Sequence, residues 1–341
     1  MAGLRIEDFD FELPESLIAQ VPLDDRSSSR MLHVERQTGS IHHRMFRDLV
    51  SLLEAGDVLV MNNTRVTARR LLGAKHGTGG AVEALLLTPL AEPNTFVALT
   101  KPAKRLQVGA KIDFQDDLHA EVVGVLEGGL RALRFAPVPD FNEKIARAGE
   151  IPLPPYITSR ASTEAQYQTV YSKVPGSAAA PTAGLHFTSE ILQALAEKGV
   201  QIAEVTLDVG IDTFRPILTE NVIEHPMHGE TCEVSPATAQ VVNERKGRLI
   251  TIGTTSTRTI ETFAQPGGQV SPGRTSTSIF FYPGKEFQAV DGMLTNFHMP
   301  RTTMLLMVSA MIGYDAWRES YKLAIEEKYR FLSFGDSMLL L

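Results

Sequence analysis

Short apolar runs alternate with turn-forming residues between positions 56 and 136. Runs such as DVLVM, VEALLL and AEVVGVL are separated by glycine, proline or charged residues. This pattern is typical of β-strands that are joined by tight turns. The segment therefore predicts a small β-barrel or a compact meander.

A different pattern begins near Asp140. The stretch FNEKIARAG predicts a short helix that ends at Gly149, and the three prolines of IPLPPYI favour an extended connection between domains. Strands and helices then alternate. The predicted strands are 203–209, LITIG and SIFFY, and the predicted helices are ILQALAEK after Thr188 or Ser189, the run from Ser235 and Pro236 to Gly247, TSTRTIETF, TMLLMVSAMIG after Thr302 or Thr303, and the run from Asp315 to about Phe331.

Such alternation indicates a largely parallel sheet that is covered by helices on both faces. We therefore expect an α/β fold, a three-layer α/β/α sandwich with an inserted small β-barrel domain. The sandwich is predicted to comprise residues 1–60 and 150–341, and the barrel residues 61–149. The N-terminal segment has no core of its own and is expected to join the sandwich.

Composition fits a globular protein of two domains, with 341 residues, 43% hydrophobic and 21% charged. The N-terminus carries acidic residues where a signal peptide needs an apolar run, and no run reaches the roughly 18 apolar residues of a membrane span. We therefore expect a cytoplasmic protein. Cys232 is the only cysteine, which excludes disulfides and cysteine metal sites.

The formal net charge of −7 argues against non-specific nucleic-acid binding over the whole surface. Local basic clusters nevertheless occur at Arg69 and Arg70, at 101–105, and at Arg44 and Arg47. These clusters are either solvated surface or phosphate contacts.

Two polar stretches in the α/β part are candidates for chemistry. In 179–188, Thr182 and His186 lie among small residues just before a helix N-terminus, which suits an anion; an ordinary loop with a packed histidine is the alternative. In 225–230, His225, His228 and Glu230 are candidate metal ligands or acid–base groups, or a polar cluster at a domain edge. Their spacing is not the helical His-Glu-x-x-His of many zinc sites.

Two further polar stretches follow predicted strands or precede helices. In 253–258, Thr254, Thr255 and Arg258 follow a strand, where open α/β sheets bind ligands, although a capped helix without a ligand has the same pattern. Arg258 could pair with a carboxylate or a phosphate. The other stretch precedes a very apolar helix and contains Asp291, Asn296, His298 and Arg301. We expect all four stretches to converge on one pocket.

The whole chain resembles the ribosyltransferase-isomerase family that uses S-adenosylmethionine to build the cyclopentane part of queuosine. The pattern differs at Asn63, Asp208, Asp212 and Phe96, where the family has aspartate, histidine, glycine and tryptophan. The matching stretches are 9–14 (FDFELP), 18–22 (IAQVP), 62–66 (NNTRV), 167–171 (YQTVY), 180–188 (APTAGLHFT), 213–216 (TFRP), 225–230 (HPMHGE), 253–258 (GTTSTR), 282–284 (YPG), 294–298 (LTNFH), 324–330 (AIEEKYR) and 335–336 (GD).

The resemblance implies transfer of the ribosyl unit of S-adenosylmethionine to 7-aminomethyl-7-deazaguanine at the tRNA wobble position. Adenine and methionine leave, and the sugar isomerises to give epoxyqueuosine-tRNA. S-adenosylmethionine is then a consumed co-substrate, and no cofactor or metal is expected. The partners would be that donor and the tRNA anticodon loop, with no membrane, and the protein is expected to be monomeric.

Roles follow from this resemblance together with residue chemistry. His186, His228 and His298 are expected acid–base groups, and Asp291 or Glu230 would face the sulfonium or the ammonium group of the donor. Arg258 or Arg301 would hold its carboxylate or an RNA phosphate. Further expected substrate contacts are Thr182, Asp208, His225, Thr254, Thr255 and Asn296, and expected RNA contacts are Arg65, Arg69, Lys101, Lys104 and Arg105.

Two other classes of protein compete with this interpretation. A metal-dependent hydrolase would use His225, His228 and Glu230 as its centre. A non-catalytic RNA-binding module would release no adenine from S-adenosylmethionine, and it leaves the polar stretches of the α/β part without a purpose.

Overall fold

The structure is a computed structural model that describes residues 4–159, 161–210 and 216–341. Its strands are β1 Arg30–Val34, β2 Ile41–Met45, β3 Val58–Asn62, β4 Thr64–Val66, β5 Arg69–Lys75, β6 Ala81–Pro89, β7 Thr95–Lys101, β8 Lys111–Phe114, β9 His119–Val125, β10 Arg131–Phe135, β11 Gly149–Glu150, β12 Val174–Ser177, β13 Gln201–Leu207, β14 Glu230–Val234, β15 Leu249–Ile252, β16 Gly273–Thr277, β17 Gly292–Asn296 and β18 Ser337–Leu340.

The α-helices are α1 Leu49–Leu52, α2 Phe141–Ala148, α3 Ser189–Glu197, α4 Pro236–Asn243, α5 Gly253–Phe263, α6 Thr303–Ile312 and α7 Tyr314–Glu326. Short 3₁₀ helices include Thr182–His186. Within the described ranges, no helix has the length and apolarity that a membrane crossing requires.

The chain divides into two compact units. The α/β unit comprises Met1–Thr64, Pro154–Val174 and Ala180–Leu341, and the barrel unit comprises Arg65–Leu153 and Pro175–Ala179. The barrel unit is therefore inserted into the sequence of the α/β unit.

A nine-stranded mixed sheet, counted over the described residues, forms the centre of the α/β unit in the order β16-β14-β13-β3-β15-β17-β18-β1-β2. Neighbours from β13 to β17 are parallel, and β1 is parallel to β18. The strands β1 and β2 come from the N-terminal segment, as predicted. Both faces are covered, since Val58 and Val60 pack into one apolar cluster with α6 and α7, whereas Leu59 and Met61 pack into another with α3. This confirms the predicted three-layer sandwich.

The barrel unit is a closed antiparallel barrel. Its strands pair in the order β5-β6-β7-β10-β9-β8, and pairing of β5 with β8 closes the ring. Residues of alternating position, such as Leu71, Ile112 and Leu133, fill the interior. At the closing pair, a Cβ on Gly73 would lie 2.4 Å from the carbonyl oxygen of Asp113, so glycine permits the close approach. The predicted inserted barrel is confirmed.

Some predicted elements are wrong in place or extent. SIFFY is not a strand; the strand Gly273–Thr277 precedes it, and Phe280 and Phe281 are buried by aromatic packing instead. DVLVM provides the interior strand β3 of the large sheet rather than a barrel strand. The last helix ends at Glu326 and the helix after Ser235 ends at Asn243, both earlier than predicted.

Asp57 anchors the starts of β3 and β15. Its side chain is 2% exposed and accepts hydrogen bonds from the backbone N–H groups of Glu54 and Arg248, each at 2.8 Å, and from Nη2 of Arg248 at 2.6 Å. Burial alone would raise the pKa of Asp57, but the hydrogen bonds from Arg248 and Glu54 outweigh it and hold the pKa below its ordinary value. The ionised carboxylate therefore stabilises the folded state.

Replacement of this anchor should destabilise the protein. We expect Asp57→Asn to lower the free energy of unfolding at pH 7 by about 1–3 kcal/mol, because the amide nitrogen cannot accept the buried hydrogen bonds that one carboxylate oxygen accepts. A carboxylate with a depressed folded pKa stabilises fully above its unfolded pKa, near 4, and loses this effect as pH falls through the folded pKa. Urea unfolding at pH 7 and pH 3 should show the difference from wild type shrinking at pH 3. The exposed-site variant Asp24→Asn is the control, and equal stability of all three proteins at pH 7 would contradict the prediction.

Candidate active site

Four parallel strands end at one edge of the large sheet. They are β13, β3, β15 and β17, in this order across the sheet. Asp208 follows β13 and Gly253 follows β15, whereas Asn62 and Asn296 are the last residues of β3 and β17. Ligands of open α/β sheets bind at this edge. Polar residues from distant parts of the sequence therefore meet here.

Asn62 connects these strand ends. It is fully buried, and its Nδ2 donates to the carbonyl of Leu207 at 3.0 Å and to Oγ1 of Thr255 at 3.3 Å. Its Oδ1 accepts from the N–H groups of Leu207 and Thr64 at 3.1 and 3.2 Å. The amide thus fixes the end of β13 against the first turn of α5. No role was predicted for Asn62, because its partners become neighbours only when the sheet forms.

The helix α5 begins directly after β15. Gly253 has φ of +81°, and a Cβ there would lie 3.4 Å from the Cβ of Ala183. Glycine therefore permits both the left-handed turn and the close packing. Thr254 and Thr255 follow, and both are nearly buried.

A narrow crevice opens beside the first turns of α5. It is lined by Thr254, Thr255 and Arg258 together with His228 and Glu230. The rest of the lining consists of apolar and hydroxyl side chains, namely Met227, Ile279, Phe280, Phe281, Thr303, Met304 and Met307. The fold thus brings together five of the residues that the sequence singled out.

Arg258 and Glu230 form a buried ion pair inside this crevice. They are 5% and 4% exposed, and Nη1 of Arg258 donates to Oε2 of Glu230. The guanidinium also donates to the carbonyls of Ile279 and Thr277, while the N–H of Gly210 donates to Oε1 of Glu230 at 2.8 Å. Both charges are therefore compensated within the protein, as a buried pair requires.

His228 is different from the other histidines of the site. Its Nε2 is buried and, among the described residues, has no hydrogen-bond partner. Since the side chain lines the crevice, this nitrogen can bind a substrate group. The neighbouring His225 packs edge-on against Phe280. Burial, and to a smaller extent the charge of His228, lowers the pKa of His225.

Asp208 lies at the same edge, after β13. Its N–H donates to the carbonyl of Thr231 at 3.0 Å, and its Oδ1 accepts from Oγ1 of Thr64 at 3.4 Å. Burial, with a smaller contribution from the charge of Glu230, raises the pKa of Asp208. A carboxyl with a raised pKa is suited to proton transfer. Asp212, the other departure from the family pattern in this region, lies outside the described residues.

A second buried cluster surrounds His186. Its Nδ1 is 2.9 Å from Oγ of Ser29 and its Nε2 is 3.3 Å from Nδ2 of Asn296, whose Oδ1 accepts from Oγ1 of Thr182 at 3.0 Å. Phe46 stacks on the ring at 5.1 Å between centroids. Burial lowers the pKa of His186 to about 3, with smaller contributions from Arg330 and Arg26. The neutral ring thus positions Asn296 and Thr182.

Other candidate residues lie away from the crevice. Asp291 is at the amino-terminal edge of the sheet, where its carboxylate accepts from the N–H of Leu249 at 2.8 Å. Arg301 forms an exposed ion pair with Asp10. His298 is buried, and its Nε2 is 2.8 Å from Oγ1 of Thr295. The carboxylate and the guanidinium are therefore engaged in structural contacts.

The expected RNA contacts all belong to the barrel unit. Arg65 lies in β4, Arg69 is the first residue of β5, and Lys101 is the last residue of β7. Nζ of Lys101 lies 3.8 Å from Oε1 of Glu83. Lys104 and Arg105 occupy the turn between β7 and β8. The metal-dependent alternative finds no support, because no group of three or more histidine, cysteine, aspartate or glutamate side chains within the described ranges is arranged to hold a metal ion.

The buried neutral histidines should make folding sensitive to mild acid. The folded pKa of His186 and of His298 is about 3 because both are buried, whereas an unfolded histidine titrates near 6.5. The unfolded state thus binds protons first, so stability is complete above pH 6.5 and falls as pH decreases toward 3.

We expect the free energy of unfolding to decrease between pH 7 and pH 5, and His186→Asn/His298→Gln to reduce that slope although the variant is less stable at pH 7. Urea titrations at pH 7, 6 and 5 measure this. The control variant His43→Gln changes an exposed histidine whose Nδ1 lies 2.7 Å from the hydroxyl of Tyr329, and it should keep the wild-type slope. An unchanged slope in the double variant would refute the assignment.

Comparisons with known proteins give a consistent result. The profile of the family described as queuosine biosynthesis protein matches residues 6–340. The chain is 48% identical over 342 residues to the S-adenosylmethionine:tRNA ribosyltransferase-isomerase of Desulfitobacterium hafniense, covering 99% of this chain and 100% of that protein. It also resembles the crystal structure of S-adenosylmethionine tRNA ribosyltransferase from Thermotoga maritima, at 35% identity and a TM-score of 0.56 over 98% of this chain and 100% of that one. The chain therefore belongs to the queuosine biosynthesis protein family.

Proposed function

We propose that this protein is an S-adenosylmethionine:tRNA ribosyltransferase-isomerase. It transfers the ribosyl unit of S-adenosylmethionine to 7-aminomethyl-7-deazaguanine at the tRNA wobble position and isomerises it, which gives epoxyqueuosine-tRNA with release of adenine and methionine. The observation that carries this proposal is the 48% identity to an enzyme of that name along the full length of both chains.

The carboxyl edge of the sheet presents groups of the kind that the chemistry of this donor requires. The positive sulfonium makes the adjacent C5′ proton acidic, so a general base is needed, and Nε2 of His228 is a buried nitrogen without a partner among the described residues. The departing adenine needs a proton at a ring nitrogen, and Asp208, whose pKa is raised, is a candidate acid.

The methionine end of the donor carries a carboxylate. The first turn of α5, at Thr254 and Thr255, presents backbone N–H groups and the positive end of the helix dipole, which favour an anion. Arg258 is held by Glu230, so we assign this pair to shaping the crevice wall rather than to binding the carboxylate. His186 and Thr182 form hydrogen bonds with Asn296 and would hold this last residue of β17 in position.

We extend the proposal to the RNA contacts, the location and the assembly state of the protein. The barrel unit supplies phosphate contacts, the protein acts in the cytoplasm as a monomer, and S-adenosylmethionine is consumed without any resident cofactor.

Mass spectrometry tests the reaction directly. The protein should convert tRNA that carries the aminomethyl base, in the presence of S-adenosylmethionine, to tRNA with an added epoxycyclopentane unit. Adenine and methionine should appear in amounts equal to the modified tRNA. Transcripts without the aminomethyl base are the control and should remain unmodified. Unchanged donor and unchanged RNA would contradict the proposal and leave a non-catalytic RNA-binding module.

The role of His228 can be tested by kinetics. We expect His228→Gln to lower kcat by about 100-fold or more, because loss of a general base removes a contribution of about 10²–10⁴-fold. The matched variant His42→Gln changes a surface histidine that pairs with Glu35 and should retain wild-type kcat. Near-native turnover of His228→Gln at saturating substrates would exclude His228 as the base.

A further inference from the structure

Charge is distributed unequally between the two units. The segment Arg65–Leu153 of the barrel unit has twelve lysine and arginine residues against ten aspartate and glutamate residues, a net formal charge of +2. Its second segment, Pro175–Ala179, has no charged residue. Because the whole chain has a net formal charge of −7, the α/β unit has a net formal charge of −9. The barrel is thus the cationic part of an acidic protein, which favours it as the partner of a polyanion.

A groove of about 580 Å³ lies beside β8, β9 and the end of β10 of this barrel. Lys111 on β8 is opposite Glu121 on β9, which is opposite Arg134 on β10. The alternate residues of these strands, such as Ile112 and Ala120, point into the barrel core. The fold therefore holds two cationic side chains on either side of Glu121, and Nη2 of Arg134 lies 4.0 Å from Oε2 of that carboxylate.

The next row of the groove is a histidine–aspartate–histidine cluster. Nδ1 of His76 lies 2.7 Å from Oδ2 of Asp113, and Nδ1 of His119 lies 2.8 Å from Oδ1 of the same carboxylate. Hydrogen bonds from His76 and then His119 hold the pKa of Asp113 below its ordinary value, so the carboxylate is ionised and both Nδ1 atoms donate to it. Both acidic oxygens are occupied, which reduces the repulsion that an incoming anion would meet.

Positive charge continues beyond the groove. Nζ of Lys75, the residue before His76, donates to the carbonyl of Arg105 at 3.1 Å. This bond ties the turn that carries Lys104 and Arg105 to the end of β5, while the N–H of His76 donates to the carbonyl of Lys111 at 2.9 Å. These two hydrogen bonds thus connect the turn, with Lys104 and Arg105, to the end of β5 and to β8 beside the groove.

We propose that this barrel groove, lined by Lys111, Arg134, His76 and His119, binds the phosphate backbone of the tRNA substrate. The proposal rests on the proposed function, because that function requires an RNA partner. Phosphate contacts position an RNA without reading its sequence, and an antiparallel surface that holds Lys111 and Arg134 at fixed strand positions suits this role. Glu121, between the two cations, limits the affinity of the groove.

Binding of an unmodified tRNA transcript to the full-length protein, measured by fluorescence anisotropy between 50 and 200 mM salt, tests the proposal. We expect Lys111→Gln/Arg134→Gln to weaken binding by about tenfold at 100 mM salt. The slope of log K against log salt should become shallower by about 0.7–0.9 for each phosphate that the variant no longer neutralises. The control Arg318→Gln/Lys322→Gln makes the same change in net charge on α7 and should bind within about twofold of wild type.

Glu121→Gln gives the opposite test, because removal of the acidic side chain should tighten tRNA binding by about two- to threefold. Equal binding by wild type and both groove variants would overturn the proposal, as would equal weakening in the α7 control. Displacement of the tRNA by polyglutamate at equal charge concentration would also overturn it and indicate an acidic protein partner. If wild type bound no tRNA at all, the proposed function itself would fail; if it modified tRNA while the groove variants bound normally, only the groove assignment would fail.

Discussion

The parallel pairing of β13, β3, β15 and β17 is the constraint on which the rest of the α/β unit depends. Parallel strands start at one edge of a sheet and end at the other, so residues far apart in sequence must meet where the strands end. The connections between them have to cross the faces of the sheet, which places apolar helices on both sides. The crevice beside α5 and the buried network at Asn62 are consequences of this arrangement.

Much of the fold could be predicted from the sequence because its patterns are local. Capping residues at Thr188, Ser235 and Thr302 mark helix starts, and each side chain accepts the expected hydrogen bond in the structure. The run SIFFY does not form the predicted strand. Residues that are buried by aromatic packing and residues that are buried in a strand produce the same apolar run in a sequence. Strand DVLVM was grouped with its sequence neighbours, although its partners β13 and β15 lie far along the chain.

The site was harder to predict because residue type alone does not distinguish a free group from one that is already engaged. Thr254, Thr255, Arg258, His228 and Glu230 do meet, yet Arg258 and Glu230 neutralise each other. A histidine side chain in water titrates near neutral pH, but burial lowers the pKa of His186 and of His298 to about 3. Both rings are therefore neutral in the folded protein at pH 7. Asp291 directly precedes a strand, so it lies at the edge opposite to Asn296, which ends that strand.

That opposite edge has a consequence for how such a protein can evolve. The carboxylate of Asp57 accepts a hydrogen bond from the N–H of Arg248, and that of Asp291 accepts one from the N–H of Leu249. Two carboxylates therefore fix the start of β15. The strand register is thereby set at the edge opposite to the residues that we propose to contact the substrate. If that assignment holds, substitutions at the carboxyl edge can change substrate preference while the register of the sheet is kept, and substitutions at the amino edge are restrained by folding.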